Sequence, residues 1–255
     1  MARIQLSYPG YGLASIDMIA PQYGDSPRDA QLKREDYYAG KLPVLWLLHG
    51  GMGCSSDWLR FTEVERFAAE KRLFVVSISG ENGAYVDMAR GARWESILTE
   101  YVWDMIHDMF PLASDRPEDN SIAGLSMGGY GALRNGLKHP EKYGRIGAFS
   151  AGVRIVERVG EDSAFGRELK DVFGQECVGT PNDLFWAAQA RKDSGRPFPP
   201  LYLSCGTKDR LDKDNVDLRD HLLALGADVT WDESEHGHEW AFWNRQIEKF
   251  INWLP

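Results

Sequence analysis

The residues best suited to chemistry lie in Gly124-Leu125-Ser126-Met127-Gly128-Gly129. A serine flanked by small residues, after the apolar run Ser121–Leu125 and before a helix-forming stretch, is the pattern of a sharp strand-to-helix turn that exposes a hydroxyl. A serine hydroxyl is a weak nucleophile until a base removes its proton, and a carboxylate usually orients that base. Such a set performs acyl transfer through a covalent intermediate on the serine, here Ser126.

Where this turn carries the nucleophile, the acid and then the histidine follow it along the chain, on an α/β-hydrolase fold. Leu201-Tyr202-Leu203-Ser204-Cys205 reads as a strand and Gly206-Thr207-Lys208-Asp209 as the turn after it, which favours Asp209 as the acid. Asp212, Asp214 and Asp217 fall at or inside the next helix and read as a solvated, helix-starting cluster. Two histidines compete in Glu235-His236-Gly237-His238-Glu239-Trp240, and spacing barely separates them. The His-x-His pair raises the question of a metal, but no third ligand cluster at suitable spacing accompanies it, so neither metal nor cofactor is expected. The glycine-rich bend Leu47-Leu48-His49-Gly50-Gly51-Met52-Gly53 follows an early strand and can aim a backbone donor at the serine. The N–H of Gly51, ahead of those of Gly50 and Met52, pairs with that of Met127 as the expected oxyanion donors. His49 reads as scaffold for the bend.

The elements that must position these groups are short apolar runs at Leu13–Ala20, Val44–His49, Phe74–Ser79, Ser121–Leu125, Ile146–Ser150, Leu201–Cys205 and Val229–Asp232. Consecutive apolar residues, as in Val44-Leu45-Trp46-Leu47-Leu48, predict strands covered on both faces. Helical patterns fill the gaps: Asp57 to Ala69 with Asp57 as N-cap, Trp94 to Phe110, Tyr130 to Leu137, Asp214 to Leu225 closed by Gly226, and Glu239 to Trp253. Gln22 to Lys41 is polar and turn-rich and reads as a surface loop. The expectation is one domain over residues 1–255, with a mostly parallel central sheet and helices on both faces. A helical insertion over 157–200, patterned at Phe165–Phe173 and Leu184–Arg191, reads equally as a cap over the site or as a crossover.

With 255 residues, 43% of them hydrophobic, the chain can bury a substantial core. Its formal net charge of -9 argues against nucleic acid or an anionic membrane as partner. Cys54, Cys177 and Cys205 form no disulfide pattern, and no signal peptide or membrane-length apolar stretch is visible. A cytoplasmic protein acting on a small molecule is expected, and a homo-oligomer is compatible with the sequence.

Six segments together resemble the esterase family that includes esterase D (S-formylglutathione hydrolase), bacterial tributyrin esterases, and feruloyl and acetylxylan esterases. They are Leu47–Gly53 (LLHGGMG), Asp57-Trp58-Leu59, Asn82-Gly83-Ala84-Tyr85, Ile122–Leu133 (IAGLSMGGYGAL), Cys205–Asp209 (CGTKD) and His238–Trp243 (HEWAFW). The nearest likeness is to the tributyrin-type acyl esterases, and it runs from about residue 44 to the C-terminus. In that family the catalytic histidine directly precedes an acidic and an aromatic residue, which implies His238 over His236. The resemblance also implies Ser126 as nucleophile, Asp209 as acid, and the Gly51 and Met127 N–H groups at the oxyanion. The implied activity is hydrolysis of short-chain acyl esters through an acyl-enzyme. S-formylglutathione hydrolysis, feruloyl or acetyl-sugar ester hydrolysis and acyl transfer are the alternatives on the same scaffold. Trp58, Tyr85, Trp186 and Trp240 are candidates to line the substrate pocket, while Trp243 is expected in the core. Gly51 and Ala84 stand where family members often carry bulkier residues, which predicts a wider acyl pocket.

Overall fold

The computed structural model describes residues 1–9, 13–175 and 177–255. Eight strands form one sheet: β1 (Ala2–Pro9), β2 (Leu13–Ala20), β3 (Val44–Leu48), β4 (Phe74–Ile78), β5 (Asn120–Leu125), β6 (Arg145–Phe149), β7 (Leu201–Gly206) and β8 (Val229–Ser234). Their order is β1-β2-β4-β3-β5-β6-β7-β8. β1 pairs antiparallel with β2, and β2 with β4, whereas every pair from β4 to β8 is parallel. This is the α/β-hydrolase arrangement. β1 is missing from the apolar runs because it is an edge strand with one wet face. Ile4, Leu6 and Tyr8 turn toward the core and alternate with Arg3, Gln5 and Ser7.

The two faces of the sheet carry separate apolar layers. In β3, Val44, Trp46 and Leu48 enter one layer, and Leu45 and Leu47 enter the other, as a period of two requires. The first layer is covered by α3 (Val102–Met109), α4 (Met127–Lys138), α6 (Leu184–Asp193) and α7 (Asp212–Ala224). The second is covered by α2 (Val64–Lys71) and α8 (Trp240–Trp253). The single helix expected from Asp57 to Ala69 is two. α1 (Asp57–Phe61) stops at Thr62, whose backbone is extended at φ -135° and ψ 168°. Asp57 is the first helical residue and Ser56 the N-cap. Thr62 turns its hydroxyl back to the Trp58 carbonyl, a local bond that competes with continuing the helix.

The stretch 22–41 holds a 3-10 turn (Pro27–Gln31) and a short helix (Arg34–Tyr37), and it buries Tyr37. It is therefore more than a surface loop. The 157–200 insertion, apart from Glu176, which lies outside the described residues, divides by position. α6 packs on α4 and α7 as a crossover helix, while α5 (Ala164–Phe173) presents Phe165, Glu168 and Leu169 to the cavity described below.

One ion cluster fastens the helices of the first layer. Glu95 is buried, and its carboxylate meets Arg134 at 2.7 Å, Lys138 at 2.6 Å and His139 at 2.8 Å. Burial alone would raise its pKa, but hydrogen bonds from His139, Lys138 and Arg134, with the charge of Arg134, hold it far below the usual carboxylate range. Because the folded-state pKa is depressed, the stabilisation is complete above the ordinary glutamate pKa and is lost as pH falls below it. Replacing Glu95 with Gln strands the buried Arg134 guanidinium and should cost about 3 kcal/mol in urea unfolding at pH 7. The gap between wild type and variant should narrow as pH drops below about 4, and a constant gap would refute this account.

Candidate active site

Ser126 joins β5 to α4 with φ 53° and ψ -116°, a backbone region that an L-residue enters only under constraint. The constraint is visible on both sides of the residue. The Ser126 N–H donates to the Phe149 carbonyl at 2.9 Å, and the Ser126 carbonyl accepts from the Gly152 N–H at 2.9 Å. Glycines make room for the turn: a Cβ on Gly128 would lie 2.3 Å from the Leu48 oxygen, and one on Gly124 would lie 2.4 Å from the Gly128 oxygen. The hydroxyl is thereby presented above the carboxyl end of the sheet, at the amino end of α4.

His238 Nε2 lies 3.0 Å from Ser126 Oγ, and His238 Nδ1 lies 2.8 Å from Asp209 Oδ2. An ionised Asp209 requires the proton on Nδ1, which leaves the Nε2 lone pair facing the serine hydroxyl. Burial would raise the Asp209 pKa, yet hydrogen bonds from His238 and from the Leu211 N–H pull it below its ordinary value. The carboxylate therefore stays charged beside the imidazole. His236 faces elsewhere: its Nδ1 is 3.0 Å from Glu239, and Arg245 donates to its Nε2 at 3.2 Å. Among the described residues no group of three His, Cys, Asp or Glu side chains could hold a metal ion.

The bend after β3 closes over the same place. A Cβ on Gly50 would stand 2.6 Å from Leu125 Cδ1 and 3.5 Å from Ser126 Cβ, so the bend lies against the nucleophile. The buried His49 imidazole donates from Nδ1 to the Gly50 carbonyl at 2.6 Å and accepts the Gly80 N–H at Nε2 at 3.0 Å. Burial lowers its pKa and keeps it neutral, as both contacts require. Tyr85 Oη accepts the His49 N–H at 2.8 Å. Met52 donates its N–H to Asn82 Oδ1 at 2.7 Å, which commits it elsewhere, and Asn82 Nδ2 in turn donates to Glu168 on α5 at 2.9 Å. The N–H groups of Gly50, Gly51 and Met127 have no acceptor among the described residues. Of the two glycines, Gly51 is exposed and Gly50 is buried.

A cavity of about 1340 Å³ opens from Ser126 and His238. Leu125, Met127, Ile155, Leu169, Trp240 and Trp243 supply much of its apolar wall, and its outer part is charged. Of the four aromatics expected there, Trp240 lines it. Trp58 is fully buried and donates its indole N–H to the Leu48 carbonyl, and Tyr85 is spent on holding His49. Both are scaffold. Trp186 lies 41% exposed on α6, away from the cavity. Trp243 is buried as expected, yet it also forms cavity wall. Ala84 is buried away from the cavity and does not widen it, whereas Gly51 lies on its wall. The residues that sequence reasoning missed, Arg60, Phe61, Ile155, Phe165, Leu169 and Leu211, come mostly from segments without a motif. The i, i+4 spacing of Phe165 and Leu169 was their one periodic signal.

This arrangement can transfer a proton from Ser126 to His238 while two backbone donors receive the carbonyl oxygen of a bound ester. Asp209→Asn favours the wrong imidazole tautomer and should lower kcat by about 10⁴-fold with little change in KM. His236→Ala should leave kcat close to wild type, and steady-state kinetics with a nitrophenyl ester checks both. A large loss in the His236 variant would shift the assignment.

Comparison with known proteins bears on the family and the fold. The model of the family described as Putative esterase matches residues 35–251. The chain is 33% identical to an acetyl esterase of Caldicellulosiruptor saccharolyticus, over 87% of this chain and 86% of that one. Among solved structures it resembles the fluorophosphonate-binding serine hydrolase F of Staphylococcus aureus, with a TM-score of 0.87 and 28% identity over 99% of this chain and 98% of that one. An S-formylglutathione hydrolase of the same organism gives a TM-score of 0.84 and 28% identity, with the same coverage of both chains.

Proposed function

The chain belongs to the Putative esterase family and is a carboxylic ester hydrolase, and from that premise we propose that it cleaves short-chain acyl esters through an acyl-enzyme on Ser126. The observation that carries this reading is the unbroken line from Asp209 through His238 to Ser126, at 2.8 Å and 3.0 Å. His238 takes the Ser126 proton as Oγ attacks the ester carbonyl. The Gly51 and Met127 N–H groups stabilise the tetrahedral oxyanion, and Asp209 stabilises the imidazolium. His238 then protonates the departing alkoxide, and the alcohol leaves. Water, deprotonated by His238, attacks the acyl-enzyme and releases the acid.

Two observations support a small acyl group on a polar alcohol. A relative matched over 87% of this chain is named for acetyl esters. The outer cavity is lined by the ion-paired Arg154, Glu157, Arg158 and Glu161, which suit a polar group better than a long acyl chain. A second reading, S-formylglutathione hydrolysis, has its own support. Arg60 and Arg210 line the cavity with no acidic partner among the described residues, and such cations suit the carboxylates of a glutathione thioester. Cytoplasmic action fits the three cysteines, which form no disulfide. No helix among the described residues is long and apolar enough to cross a membrane.

Nitrophenyl acetate, butyrate and octanoate, S-formylglutathione and acetylated or feruloylated sugars, assayed side by side with a competing alcohol present, test the proposal. Acetate or butyrate should exceed octanoate in kcat/KM by at least about tenfold, a difference of roughly 1.4 kcal/mol in transition-state binding. A preference for octanoate would reject the short-acyl reading. A preference for S-formylglutathione would select the second reading, and dominant ester products from the alcohol would select acyl transfer. Fluorophosphonate labelling that survives Ser126→Ala would remove the acyl-enzyme step.

A further inference from the structure

Two side chains outside the Ser126–His238–Asp209 line touch it from behind, and the geometry points to Trp243 and Ser150 as positioning residues for His238 and Asp209. The inference rests on the reading of those three residues as the catalytic set.

Trp243, on α8, packs its indole against the His238 ring with centroids 4.9 Å apart and an interplanar angle of 89°. Only 5% of Trp243 is exposed. Trp240 stands perpendicular to it at 5.2 Å. The indole therefore limits rotation of the imidazole out of the plane that joins Asp209 to Ser126. Its own orientation is fixed by a hydrogen bond from Nε1 to Ser150 Oγ at 3.2 Å.

Ser150 is fully buried and adopts φ 48°, the left-handed region that favours glycine. A serine held there suggests that its hydroxyl is needed. Its N–H donates to the Ser204 carbonyl of β7 at 2.7 Å, beside the strand end that delivers Asp209. Its neighbours Phe149 and Gly152 are the two residues that grip the Ser126 backbone. A hydroxyl has one proton and two acceptor positions. Having accepted from the indole, Ser150 keeps its proton to donate. The Ser150 hydroxyl is among the groups that favour the ionised Asp209, and it acts in the same sense on the Cys205 thiol. The buried, neutral thiol competes weakly for a proton that a carboxylate accepts well. The brace thus joins the Ser150 hydroxyl, which favours the ionised Asp209, through the indole N–H to a ring that stands perpendicular to His238. It holds both members of the pair as the imidazole gains and loses its proton.

Trp243→Phe keeps a ring against His238 and removes the N–H. Ser150→Gly removes the hydroxyl and suits the left-handed backbone, so it should fold. Each variant should lower kcat on the order of tenfold, and in Ser150→Gly, which lies off the cavity, KM should stay nearly unchanged, because misplacing a catalytic group slows chemistry more than binding. The double variant should be little worse than either single one, since both delete the same hydrogen bond. Trp243→Leu, which removes the ring, should lose on the order of a hundredfold. Rates are normalised to active sites titrated with fluorophosphonate, and thermal unfolding is followed in parallel. Wild-type kcat in correctly folded Ser150→Gly, multiplying losses in the double variant, or an effect confined to KM would each overturn the brace. Ser126→Ala and His238→Ala in the same assay separate the two levels: activity remaining in them defeats the catalytic reading itself, whereas its absence leaves the brace judged on its own variants.

Discussion

The turn at Ser126 is the constraint from which the rest of the site follows. A residue at φ 53° and ψ -116° does not hold itself there, and here the Phe149–Gly152 segment binds its N–H and its carbonyl at once. That grip requires β6 beside β5 in parallel register, with Leu125 opposite Phe149. It also requires glycine at 124 and 128, because the backbones of β3, β5 and α4 meet with no space for a side chain. Sheet order, glycine placement and nucleophile geometry are therefore one requirement seen at three scales.

Two buried or half-buried histidines show how the same ring is set to different ends. Each commits Nδ1–H to an oxygen and leaves Nε2 as acceptor. His49 gives its Nδ1–H to the Gly50 carbonyl and its Nε2 to the Gly80 N–H, and burial keeps it neutral, so it serves as a fixed strut under the bend. His238 gives its Nδ1–H to an ionised carboxylate and its Nε2 to a hydroxyl whose proton can leave. The chemistry lies in the partners: only the second ring has a negative charge on one side and a labile proton on the other.

The sequence makes legible whatever depends on local pattern. The seven apolar runs coincide with strands, most plainly for β3, β4 and β5, which are covered on both faces and must be continuously apolar, while the wet edge strand β1 alternates and escapes that test. Ser126 and Asp209 are readable from their places after strands. His238 and His236 are two residues apart in one loop, and their distinct surroundings depend on where α8 begins, so spacing could not separate them. The aromatic wall was harder for the same reason. Trp58 and Trp240 are alike in type and in proximity to motifs, yet one supports a strand carbonyl and the other faces the cavity. Residue type tells that an indole needs a partner for its N–H, and only the packing tells which partner it has. The break at Thr62 was hidden by an unbroken apolar period on either side of it.

The amide of Asn82 joins the bend after β3 to α5 through one side chain, with Met52 on its oxygen and Glu168 on its nitrogen. It is a narrow tether between the segment that holds the oxyanion donors and one that only walls the cavity. The outer wall of the cavity is drawn largely from 154–169, which contributes no element to the sheet. Changes of length or side-chain type there alter the wall that meets the alcohol without changing a strand of the sheet. Among the described residues, such change is relayed to the oxyanion bend by the hydrogen bond between Asn82 and Glu168.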